Sequence, residues 1–136
     1  MNSRTVVALA RFALVASVAV ILFLASTDRR IPLIDDIWDK ANHAFAFLAL
    51  ALLVDLSFPD GRFGPAKVAA LLAFGVLIEA IQHLLPHREA SLLDLVADAA
   101  GIALYLPLLA VIARHPVLSA ARGCLPRAPV PGADPS

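Results

Sequence analysis

Charge is scarce in this chain. Asp, Glu, Lys and Arg make up 16% of its 136 residues, where a soluble domain carries about a quarter. Eleven basic residues balance eleven acidic ones, and a formal net charge of zero excludes a nucleic-acid-binding surface. The single cysteine, Cys124, excludes an internal disulfide framework. No nucleophile motif is visible anywhere. What fills the chain instead is apolar: 60% of the residues are hydrophobic and the mean hydropathy is +0.83, which points to the bilayer.

Four apolar segments predict an all-α integral membrane bundle of four transmembrane helices, with spans at about 6–26, 41–58, 66–85 and 92–113. Together they make one membrane domain, residues 1–113. The first span carries Arg11 near its start, where the stem can snorkel to the interface. The turn-rich stretch 59–65 closes the second span. In the fourth, Gly101 suits close helix contact and Pro107 predicts a kink. Five of the ten prolines fall after Arg114, so residues 114–136 are expected to form a disordered tail. Asp55 is expected to pair with Arg11 or Lys67, Trp38 to anchor at the interface, and Phe45, Phe47, Phe63 and Phe74 to serve packing or lipid contact.

Orientation follows from the Lys and Arg residues near span ends. The N-terminus, second loop and tail hold seven of them (Arg4, Arg11, Arg62, Lys67, Arg114, Arg122, Arg127). The first and third loops hold four (Arg29, Arg30, Lys40, Arg88). The bias places both termini and the tail in the cytoplasm, with the protein in the inner (cytoplasmic) membrane.

The polar residues inside the spans are not scattered. Spans three and four are joined by a turn of six residues, 86–91, so they must be antiparallel neighbours. Glu79, Gln82 and His83 end one, Asp94 and Asp98 begin the other, and Arg88 lies between them. Asp39, Lys40 and His43 sit at the start of span two, which belongs to the same face. Glu79 and Asp98 each lie six residues in from their helix ends, about 9 Å at 1.5 Å per residue. The spacings Asp39/His43, Glu79/His83, Glu79/Gln82 and Asp94/Asp98 each put two groups on one helix face. Ionisable residues at such depth cost several kcal/mol and mark a functional site by default.

These motifs carry a family likeness. Asp39-Lys40-x-x-His43 opening one span, Glu79-x-x-Gln82 closing the next, then Arg88, Ser91 and Asp94 leading to Gly101, resemble the VanZ-like membrane protein family. The likeness covers roughly residues 35–113 and departs at Asp98, where the family pattern usually has Asn. It implies an envelope-associated membrane protein linked to tolerance of teicoplanin-type glycopeptides, through no established mechanism.

Three chemical readings of the cluster stand side by side. In the first, Arg88 and Lys40 contact an anionic envelope lipid, a lipid-linked peptidoglycan precursor or a glycopeptide, with Gln82, Asp39 and Asp98 completing a binding site at the outer face. There Glu79, His43 and Asp94 are the candidate catalytic groups, with Glu79 as general acid or base and His43 as its partner. In the second, the cluster is structural: polar groups hydrogen-bond between helices, Arg88 pairs with Glu79 or Asp94, and Glu79 bonds to Asp98 or His43. In the third, His43, Glu79, His83 and Asp94 are permissible metal ligands, but Glu-x-x-x-His is no zinc signature and Gln82 and Arg88 suit a metal poorly. No metal and no cofactor is therefore expected.

Overall fold

The computed structural model describes residues 3–27, 36–59, 62–85, 91–112 and Arg114. Four helices run in chain order: α1 (Ser3–Ser26), α2 (Asp36–Ser57), α3 (Pro65–His83) and α4 (Leu92–Ile112). All four are long and apolar enough to cross a membrane, and the chain is an integral membrane bundle of four transmembrane helices. The side chain of Trp38, residue Arg88 and the tail after Arg114 lie outside the described residues.

Two helix boundaries move relative to the hydropathy reading. α2 begins at Asp36 rather than Ala41. Hydropathy stops where charge begins, whereas a helix tolerates acids in its opening turn because they face the positive end of its dipole. That extra polar turn puts Asp39, Lys40 and His43 on one continuous helix. At the other boundary, α3 ends at His83 rather than Leu85, because the amides of Leu84 and Leu85 turn back onto the carbonyls of Ile81 and Gln82. Its start follows local rules: Gly64 is the extended N-cap and Pro65 occupies the first turn, where its missing N–H costs nothing.

Each packed helix buries one stripe at helical spacing. On α2 the stripe is Phe47, Leu50, Ala51 and Asp55; on α3 it is Leu71, Gly75, Ile78 and Gln82; on α4 it is Asp94, Ala97, Asp98, Gly101, Ile102 and Tyr105. The polar candidates Gln82, Asp94 and Asp98 therefore belong to the packing faces, not to the lipid face. The remaining surface is apolar, with Phe12, Val15, Phe23 and Phe45 each about 70% exposed. Such a surface would aggregate in water and is the contact layer for lipid tails. Of the aromatic set, Phe47 packs with Phe74 and Phe63 with Tyr105, while Phe45 faces outward.

α2 and α4 approach closely at Ala44 and Gly101. A Cβ on Gly101 would collide with the Ala44 carbonyl, and backbone cannot give way as a side chain can. Small residues at such crossings are how membrane helices gain packing contact where no hydrophobic effect drives association. Gly75 serves α3 similarly: a Cβ there would stand 2.6 Å from Asp98 Oδ2 and 3.3 Å from Leu95 and Phe47.

At the end of the bundle away from the polar cluster, the expected partner of Asp55 is settled. Lys67 Nζ donates to Asp55 Oδ1 at 2.9 Å and to the Phe58 carbonyl at 2.8 Å. Tyr105 Oη donates to Asp55 Oδ2 at 2.7 Å. The fully buried carboxylate thus ties α2, α3 and α4 together. Arg11 goes elsewhere: its Nε donates to the Ser57 carbonyl at 3.0 Å and its guanidinium lies 5.9 Å from the Phe58 ring.

Candidate functional site

The opposite end gathers the polar candidates. The Ala44–Gly101 crossing sets His43 of α2 beside Asp98, three residues before Gly101 on α4. His43 Nδ1–H donates to Asp98 Oδ1 at 2.8 Å, and Asp98 is fully buried. One turn nearer the helix ends, Asp94 is 5% exposed, and the Lys40 ammonium lies 3.9 Å from its Oδ1. Asp39, Lys40 and His43 on α2 thus face Asp94 and Asp98 on α4, the two i, i+4 pairs meeting face to face.

Glu79 does a different job. Its Oε2 accepts the Ser91 backbone N–H at 2.8 Å. Ser91 precedes the first residue of α4, so the carboxylate of α3 satisfies an amide that the helix start would leave open. The sequence expectation of a Glu79 bond to Asp98 or His43 is corrected here: an unpaired backbone donor at a helix start competes well for a carboxylate. Among the described residues Glu79 Oε1 accepts no hydrogen bond, and the same holds for Asp94 Oδ1 and Asp98 Oδ2. Asp98 Oδ2 faces the gap that Gly75 leaves in α3.

Beside this cluster is a cavity of about 220 Å³ between α1, α2 and α3. Its wall is apolar, built from Ile21, Leu24 and Ala25 of α1, Ala46 and Phe47 of α2, and Ile78 of α3. Its polar lining is Asp39, Asn42, His43 and Gln82. Of the residues singled out from sequence, Asp39, His43 and Gln82 therefore border open space. Lys40 and Asp94 meet beside it, Asp98 stands behind His43, and Glu79 closes the α3–α4 hairpin. His83 is exposed and takes no part in these contacts. Sequence reasoning gave no role to the α1 wall, because an apolar span shows no signal for which of its faces lines a cavity. Nor did it give one to Asn42, which is one residue from His43 and turns toward α1.

Chemically, the arrangement offers one imidazole backed by a carboxylate, two further carboxylates and one ammonium, at the mouth of an apolar slot. That suits a ligand with a polar head and an apolar body. No protein-family model, curated protein or solved structure matches the chain. The family likeness therefore rests on the motif set at residues 39–43, 79–82 and 88–101 alone.

Proposed function

We propose that this protein is a VanZ-like envelope membrane protein that binds an anionic envelope lipid, or a lipid-linked peptidoglycan precursor, at its outer face. The observation that carries the reading is the amphiphile-shaped cavity: apolar along α1, with Asp39, Asn42, His43 and Gln82 at its polar end. The headgroup lodges at that polar end, and the acyl chain follows the apolar wall toward Ile21 and Ala46. Binding is favoured over chemical modification, because the described residues lining the slot include no serine, threonine or cysteine nucleophile. Sequestering or shielding such a lipid gives a route to glycopeptide tolerance that needs no turnover.

The test is lipid retention by the full chain. Purified from membranes into nanodiscs and analysed by native mass spectrometry, it should carry phosphatidylglycerol or a lipid-linked precursor in excess over the bulk composition. Leu24→Trp, which fills the slot from an exposed α1 position, should lower that excess severalfold and remove any teicoplanin tolerance gained on expression. Lipid bound in bulk proportion, or unaffected by Leu24→Trp, would refute the reading.

The structural alternative has its own observation, since Glu79–Ser91 and His43–Asp98 both join helices. It applies to those two pairs and leaves the cavity lining unexplained.

The outer-face placement rests on the charge asymmetry of the loops. In a Cys124→Ser background, an impermeant maleimide added to intact spheroplasts should label Ser91→Cys and spare Gly64→Cys. The reverse pattern would turn the site toward the cytoplasm.

A further inference from the structure

Three metal-competent side chains converge where α2 faces α4. Asp39, His43 and Asp94 each bring a donor atom to within 4.8 Å of the other two. Acidic clusters usually relax by turning into solvent or by collecting hydrogen-bond donors. Asp94 Oδ1 does neither: the residue is 5% exposed, and among the described residues this oxygen accepts no hydrogen bond. The nearby Lys40 ammonium stands at 3.9 Å, beyond hydrogen-bond reach. A buried carboxylate oxygen without a donor is costly, and an incoming cation would offset that cost directly.

The histidine is already arranged for the same purpose. Its Nδ1 is engaged by Asp98 Oδ1 at 2.8 Å, which leaves Nε2 as the nitrogen available to a metal. A buried carboxylate behind an imidazole is how metal-binding histidines are held in one tautomer and one ring orientation. Asp98 has no access to the cavity, so a positioning part is the one its geometry permits.

We infer that Asp39, His43 and Asp94 bind a single divalent transition-metal cation, with Asp98 as the positioning residue behind His43. Two carboxylates and one imidazole suit Zn²⁺ or Mn²⁺. Ca²⁺ and Mg²⁺ favour shells made wholly of oxygen. In a tetrahedral shell, metal–ligand bonds of about 2.0–2.2 Å set ligand atoms about 3.3–3.6 Å apart. Donor atoms now within 4.8 Å of one another need to close by at most about 1.5 Å, and the exposed Asp39 side chain is able to rotate toward the ion. Lys40, with a third of its side chain exposed, has room to swing off Asp94 as the ion enters. Three protein ligands leave a coordination position open to water or to an anion. The ion site stands without the lipid reading. Only a phosphate oxygen in that open position rests on it, and there the cation would reconcile an acid-rich site with an anionic headgroup.

The test is metal titration of the purified full chain against a chromophoric chelator, using Zn²⁺ alone and then Co²⁺ for its visible ligand-field bands. One ion per chain is expected. Asp39→Ala and Asp94→Asn should each weaken binding at least tenfold and change the Co²⁺ spectrum. Asp98→Asn should weaken it about 10–100-fold with the one-ion stoichiometry kept. His83→Ala, on the exposed end of α3, should change nothing. Absence of saturable binding, insensitivity to Asp39→Ala, or loss on His83→Ala would overturn the site. Should Asp94→Asn fail to fold, Asp39→Ala decides, since its side chain is exposed. A chain that takes up the ion but retains no lipid would refute only the headgroup reading. A chain that retains lipid but takes up no ion would refute only this one.

Discussion

Gly101→Leu is expected to abolish folded protein, and Gly101→Ala to lower stability measurably although alanine is the better helix former. At Gly101 even a single methyl group would meet the Ala44 carbonyl of α2. Relief requires the two central helices to separate, and overpacking of that kind costs about 1–3 kcal/mol for small additions. The intrinsic gain of about 1 kcal/mol from replacing a helical glycine does not cover it. Parting α2 from α4 would also lengthen the 2.8 Å His43–Asp98 bond, so the polar site should fail together with the fold. Heating detergent-solubilised protein and following the monodisperse peak by size exclusion would show both variants melting below the parent, the leucine far more so. A Gly101→Ala protein that melts with the parent would mean that the helices do not cross at this residue. Gly75→Ala offers the contrast: its new methyl would meet a carboxylate oxygen and two side chains rather than backbone. It should disturb Asp98 more than the fold.

The second large effect is expected at the other end of the bundle. Lys67→Met should destabilise the protein by about 3–5 kcal/mol, the usual cost of removing one partner from a buried ion pair. Asp55 is fully buried, and the Lys67 ammonium 2.9 Å from its Oδ1 supplies the compensating charge. Tyr105→Phe removes the second bond, a hydrogen bond to a charged group, and should cost about 1.5–3 kcal/mol. Adding Asp55→Asn to Lys67→Met should restore much of the loss, because the amide carries no charge and still accepts from Tyr105. Thermal melts of the two single variants and the double give the coupling directly. Strictly additive losses would show that Asp55 and Lys67 do not stabilise one another.

The ion site and the Asp55–Lys67 pair lie at opposite ends of one scaffold, and that separation is useful experimentally. Changes at Asp39 act on an exposed side chain, whereas changes at Gly101 or Lys67 act on helix packing. A loss of ion or lipid binding at Asp39 with the melting temperature preserved therefore reports on the site itself.

By itself the sequence determined the class of the molecule and the end of the bundle at which its polar residues gather. Four runs of apolar residues long enough for the bilayer specify four spanning helices, since only helices or closed barrels satisfy their backbone groups in lipid. A short turn between spans three and four makes them antiparallel, and rigid helical periodicity then brings Asp39, His43, Gln82, Asp94 and Asp98 to one end. It also offered both possible partners for Asp55, of which packing chose Lys67 over Arg11. What only the tertiary structure decided is who bonds to whom. Periodicity gives the face a residue occupies, but not the azimuth at which two helices meet; that was set by the backbone contact of Ala44 with Gly101. The crossing turned Asp98 behind His43 instead of toward open space. It left Asp94 buried, with Oδ1 accepting no hydrogen bond among the described residues. Glu79 was drawn to the amide of Ser91, because a helix start carries donors that a hydropathy pattern does not display. The slot along α1 was equally illegible, since every face of an apolar span reads alike until a neighbour covers one of them.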